Sequence, residues 1–168
     1  MVGSHIAHYQ LRRQVGEGGM GVVYEALDER DGQRVAVKIM RAEFTRSREA
    51  LTRFFNEAKA VNLVEHPGLV RIHEHGQTAD GTAYLAMEFL QGETLAARLR
   101  RYQGPMPEGE ARRIAWQLST GLAAAHRKSI VHRDASSKFA GPSVAALYKR
   151  CRNGFGGCLV ACRLRCLG

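Results

Sequence analysis

Two groups of residues in this sequence have types and spacings suited to binding and neutralising phosphate. Gly16, Gly18 and Gly21 form a G-x-G-x-x-G pattern within the run VGEGGMGVVYEA. Residues without a Cβ let backbone N–H groups close over phosphate oxygens. The second group is Lys38, in Val35-Ala36-Val37-Lys38-Ile39, together with Glu57. Strand alternation puts Ala36 and Lys38 on one face, with the valines and Ile39 on the other. A cation on a buried face needs a partner, and a helix carboxylate can supply it.

These residues need a hairpin, a third strand and a helix to bring them together. Leu11–Val15 and Val22–Leu27 read as strands flanking the glycine turn, and Arg34–Ile39 follows the turn signal Asp31-Gly32. The same glycine letters occur in dinucleotide-binding folds, where they open a helix. Here Val22-Val23-Tyr24 follows, which favours a strand; a glycine turn without a ligand is the plain alternative. Residues 47–64 carry Leu51, Phe54, Phe55, Ala58 and Val61 at helical spacing. Glu57 lies on that apolar stripe rather than opposite it, so half of an ion pair is a better reading than a solvated charge. Next come His66-Pro67, a strand Leu69–His75, a turn at Gly81, and a strand Ala83–Glu88 running into Phe89-Leu90-Gln91-Gly92.

In that order the signals resemble the N-terminal lobe of a protein kinase, and GEGGMGVVYEA most resembles the bacterial eukaryotic-like (Hanks-type) serine/threonine kinases. The resemblance spans residues 9–134, with 9–90 as the small lobe and 91–134 as the start of the large lobe. It implies an α+β fold: a five-stranded antiparallel sheet with one helix, followed by the first helices of an incomplete helical lobe. Those helices read as Thr94–Arg101, with Thr94 as N-cap, and Pro107–Lys128, with the stripe Ala111, Ile114, Ala115, Leu118, Leu122 and Ala125 and close packing at Gly121.

The resemblance also implies roles. The turn Gly16, Glu17, Gly18, Gly19, Met20 and Gly21 would cover the phosphates of ATP. Lys38 would hold the α- and β-phosphates, positioned by Glu57. Val15, Val23 and Ala36 would sandwich the adenine, Met87 would close the back of the pocket, and the backbone of Glu88–Leu90 would bond the base. In His132-Arg133-Asp134, Asp134 would accept the proton of a serine or threonine hydroxyl on a protein substrate.

After Asp134 the pattern stops. The family has an asparagine metal ligand five residues on, where this chain has Phe139; its lysine two residues on is replaced by Ser136. No Asp-Phe-Gly follows, and Gly154-Phe155-Gly156 has glycine where the metal-binding aspartate would stand. Mg2+ belongs to the family, yet its ligands are missing. His73 and His75 share a strand face without a third metal ligand at suitable spacing.

Composition marks the same seam. The formal charge is +9, but no Asp or Glu follows Asp134, while six Lys and Arg do, and all four cysteines lie between Cys151 and Cys166. The basic character therefore belongs to residues 135–168, and nucleic-acid binding is not expected of the whole chain. Three readings of this tail stand: a frame change or misassembled gene, a degenerate kinase that binds nucleotide or a partner protein without catalysis, and a functional basic tail. Membrane contact through the tail is not expected. No apolar run is long enough to span a membrane and no secretory leader is evident, so the cytoplasm is the default compartment. The family reading is thus an ATP-dependent serine/threonine protein kinase with doubtful activity in these 168 residues. Its alternative is a non-catalytic nucleotide-binding or protein-interaction module.

Overall fold

A computed structural model describes residues 2–131 together with 158–159 and 165–166; of Glu57, Glu93, Thr94, Ala96, Val131 and the two tail pairs it describes the backbone alone. The strands β1 (His5–Ile6), β2 (Tyr9–Gly18), β3 (Gly21–Asp28), β4 (Arg34–Met40), β5 (Ile72–Gln77) and β6 (Ala83–Glu88) form one antiparallel sheet. Their order is β1-β2-β3-β4-β6-β5. Five of these correspond to the expected strands. The sixth, β1, adds an edge because Ala7, at φ 51°, turns the chain back so that Ile6 pairs with Tyr9. Two residues are too few to show a period.

Alternation sorts the sheet into two apolar faces, as the strand pattern predicts. Ala36, Val23, Leu85 and Met87 belong to one cluster, with the helix residues Phe54, Ala58 and Val61. Val35, Val37 and Ile39 belong to the other, with Tyr9, Leu11, Tyr24, Tyr84 and Ala86. Among the described residues no helix contributes to the second cluster, which β1 to β4 and β6 fill among themselves. A polar group closes its edge. Tyr9 Oη donates to Glu74 Oε2 at 3.2 Å, Tyr84 Oη donates to Glu74 Oε1 at 2.7 Å, and Arg30 bonds both Glu74 and Asp28. Tyr84 reaches Glu74 across Gly76, where an added Cβ would lie 2.9 Å from the phenol oxygen.

Between β4 and β5 run α1 (Ala42–Thr45) and α2 (Arg48–Asn62). Ser47 caps α2, accepting from the Ala50 N–H at 3.2 Å, and Glu49 and Lys59 complement its dipole. The start of β5 differs from the sequence expectation, Ile72 in place of Leu69. The reason is local. The Leu69 N–H turns back to the His66 carbonyl at 3.0 Å, so the strand begins later. At its first residue Asn62 takes the outer edge, Nδ2 donating to the Ile72 carbonyl at 3.1 Å and Oδ1 accepting from the Ile72 N–H at 3.2 Å. The single turn α1 was not expected, being too short for periodicity.

The chain continues through β7 (Glu93–Thr94), α3 (Leu95–Arg101), α4 (Glu108–His126) and β8 (Ile130–Val131). Thr94, the expected cap, falls in β7. The buried residues of α4 are Ile114, Gly121, Ala124 and Ala125, so Gly121 does pack closely, whereas Ala111 and Ala115 are exposed. Alanine is a weak marker of a face because it fits either side. Ala124, Ala125 and Ile130 join the cluster under α2, and this contact fixes α4 against the sheet unit. Two tail pairs, β9 (Cys158–Leu159) and β10 (Arg165–Cys166), lie beside β7 and β8 and do not join the six-stranded sheet. No described helix is long and apolar enough to cross a membrane.

Candidate functional site

The residues with candidate roles converge on the α2 side of the sheet. Gly16 stands opposite Val23, Val23 opposite Lys38, and Lys38 opposite Leu85. One row over, Ala36 stands opposite Met87. Antiparallel partners project from the same face, so Val23, Ala36, Lys38 and Met87 share one surface. Val15, Met20 and Leu90 pack against the same apolar cluster from its rim. The result is an apolar bed beside a single strand lysine.

Lys38 is 6% exposed, and its ammonium lies 5.2 Å from the centroid of the Phe54 ring. A cation over a ring face gains electrostatically, more so when desolvated. This contact puts Lys38 between the sheet and the inward face of α2. Glu57 is in α2, one turn beyond Phe54, and residues three apart share a helix face. Its carboxylate, and with it the expected Lys38 pair, lies outside the described side chains.

The glycine turn is short: Gly18 pairs with Gly21, leaving Gly19 and Met20 at the tip. Gly21 is required by the fold itself, since a Cβ there would stand 2.5 Å from the Ile39 carbonyl oxygen. Gly19 faces open space. The turn is held from one side by Arg41, whose N–H donates to the Met20 carbonyl at 3.1 Å and whose guanidinium pairs with Glu17. Sequence pattern gave no sign of Arg41, which belongs to no motif, nor of Asn62. At the other end of the bed, the Glu88 N–H donates to the Arg71 carbonyl at 3.0 Å, so that donor is committed within the fold. His75 packs its ring 5.4 Å from Phe55.

His132, Arg133, Asp134, Ser136, Phe139 and the Gly154-Phe155-Gly156 run lie outside the described residues. The structure carries the chain to Val131, immediately before them. Among the described residues no group of three His, Cys, Asp or Glu could hold a metal ion.

Residues 9–137 match the family described as protein kinase domain. The chain belongs to that family. It is 40% identical over 130 residues to the serine/threonine-protein kinase PknA of Mycobacterium tuberculosis, covering 75% of this chain and 30% of PknA. It is 41% identical over 126 residues to the serine/threonine-protein kinase pkn2 of Myxococcus xanthus, covering 75% of this chain and 15% of that protein. The chain therefore spans less than a third of either relative. Among solved structures, the apo form of PpkA-294 superposes with a TM-score of 0.71 at 25% identity, over 81% of this chain and 54% of that one. The Mycobacterium tuberculosis PknI kinase domain gives 0.70 at 24% identity, over 89% and 60%, a likeness of fold. The kinase domain's small lobe is thus the six-stranded sheet with α2, and α3 and α4 open its large lobe.

Proposed function

We infer that residues 9–90 are the ATP-holding lobe of a serine/threonine protein kinase, whose family reaction moves the ATP γ-phosphate to a protein Ser or Thr hydroxyl. One observation carries this reading: Val15, Val23, Ala36, Met87 and Leu90 gather in one apolar cluster beside the buried Lys38. Val15, Val23 and Ala36 sandwich the adenine, Met87 backs it, and the backbone of Glu88–Leu90 meets the base's polar edge. The turn from Gly16 to Gly21 covers the phosphates. Lys38, with Glu57, neutralises the α- and β-phosphates, and positioning with charge neutralisation is most of what phosphoryl transfer asks of a protein.

Asp134 is the residue to accept the hydroxyl proton. The residues present do not fit Mg2+: Phe139 has no donor atom where the family has asparagine, and Gly154 has none where the family has aspartate. The 168 residues therefore bind ATP without transferring its phosphate, in the cytoplasm. The test is incorporation of labelled γ-phosphate from ATP into a generic protein substrate. The reading predicts none above background. Incorporation abolished by Asp134→Asn and by Lys38→Ala would overturn it.

A further inference from the structure

We propose that Arg34 is a positioning residue for the adenine end of the site: its guanidinium holds the Phe89 ring, and through it the Glu88–Leu90 backbone that meets the base. The proposal rests on the nucleotide reading above and adds a residue that it does not use.

Strand register puts both side chains on the face of the apolar bed. Ala36 stands opposite Met87 and Val35 opposite Glu88, so Arg34 comes next to Phe89. By alternation Arg34 shares the face of Ala36 and Lys38, and Phe89 shares that of Met87. Phe89 and Leu90 are half-buried, and both pack against the cluster that contains Val23, Ala36 and Met87. The Arg34 guanidinium lies 4.6 Å from the centroid of the Phe89 ring.

Arg34 is itself held in place. Its Nη1 donates to Glu25 Oε1 at 3.4 Å, and Arg13 Nε lies 2.6 Å from Glu25 Oε2. Arg13 stands opposite Glu25, and Glu25 opposite Ala36. A row of charges therefore crosses β2, β3 and β4 on the bed face and ends on the Phe89 ring. A planar guanidinium can bond a carboxylate and lie over a ring at once. The Glu88 N–H, bonded to the Arg71 carbonyl at 3.0 Å, fixes the backbone just before Phe89. The ring contact fixes Phe89 itself, so the peptide groups up to Leu90 keep one direction toward the base.

A contact that acts on the base must affect every adenine ligand alike, whatever its charge. Binding of ATP and of adenosine is measured for the full chain, Arg34→Ala, Phe89→Leu and the double variant. Arg34→Ala should weaken both ligands equally, by about two- to fivefold, the scale of an exposed cation–ring contact. Phe89→Leu keeps apolar packing and removes the ring, so Arg34→Ala in that background should cost nothing further. A greater loss for ATP than for adenosine would make Arg34 a phosphate-attracting charge and overturn the proposal. Losses that add in the double variant would overturn it too.

Amide hydrogen exchange tests the hold without any ligand. Exchange at residues 89–91 should quicken in Arg34→Ala while residues 35–40 and the amides of β6 stay protected. Unchanged exchange at residues 89–91 would contradict the proposal. A wild-type chain that took up neither ATP nor adenosine would end the nucleotide reading alone, and the exchange result would then decide the role of Arg34.

Discussion

The ammonium of Lys38 sits 5.2 Å from the ring centroid of Phe54, so the cation of the central strand rests on the inward face of the one long helix of the small lobe. This contact links the two elements that the chemistry needs. Phe54 is fully buried among Ala58, Val61 and the sheet, and it is held edge-on by Phe55 at 5.6 Å. Phe54→Ala removes both packing and the ring under Lys38. It should cost about 3–5 kcal/mol of stability, the usual range for an emptied aromatic site, read as a lower urea midpoint. Phe54→Leu should recover most of the stability and none of the cation–ring contact.

The glycine turn separates residues needed by the fold from residues open to a ligand. Gly21→Ala places a Cβ 2.5 Å from the Ile39 carbonyl oxygen, a backbone atom that cannot move without shifting β4. The variant should lose about 1–3 kcal/mol, as overpacked sites do. Gly19→Ala meets nothing within 4 Å. It should fall within about 0.5 kcal/mol of wild type in the same denaturation experiment.

Asn62 makes the α2–β5 junction with two hydrogen bonds to one residue. Asn62→Ala leaves the Ile72 N–H and carbonyl without these partners, at a cost of about 1–3 kcal/mol. Asn62→Asp should be worse than alanine at neutral pH. It keeps an acceptor for the Ile72 N–H but sets a carboxylate oxygen against the Ile72 carbonyl. Urea midpoints of the three proteins give the order.

The polar closure of the sheet is sensitive to acid. Burial by itself would raise the Glu74 carboxyl; hydrogen bonds from Tyr84 and Tyr9, with His8 and Arg30 nearby, outweigh it and hold the group below its ordinary 4.5. The Arg30 hydrogen bond chiefly holds Asp28 below its ordinary 3.8, against the pull of burial. A carboxyl whose folded pKa is depressed contributes stability above its unfolded pKa and loses it as pH falls through the folded one. Stability should therefore hold from pH 7 to about 5 and decline below the ordinary carboxylate range. Glu74→Gln should be less stable at pH 7 and decline less steeply. Burial, then Glu74, pushes the Tyr84 phenol up to about 12, so it should not ionise near 10 in the folded chain.

Much of this arrangement was legible in the sequence because it depends on period and on glycine. Alternation in Val35–Ile39 placed Ala36 and Lys38 on one face, and the stripe through Phe54, Ala58 and Val61 gave the inward side of α2. The start of β5 was not legible, because a turn from His66 to Leu69 takes up residues that read as strand and Asn62 binds the outer edge of Ile72. Arg41 escaped for a related reason: its two ties are to a turn that is near only after β2, β3 and β4 have paired. Nor did Ala111 and Ala115 reveal their exposure, since a methyl group carries little preference for either face. The candidate pocket was readable from motif order, whereas what holds its rim in place was not.

Calorimetric titration of ATP into the 168-residue chain, beside the Lys38→Ala variant, tests the central claim most directly. A small lobe that gathers Val15, Val23, Ala36 and Met87 beside Lys38 should take up one ATP weakly, with measurable heat. Removing the ammonium should reduce the affinity by about ten- to hundredfold, since a charged partner to phosphate contributes roughly 1.5–3 kcal/mol. No heat at millimolar ATP, or the same affinity in wild type and Lys38→Ala, would contradict the account.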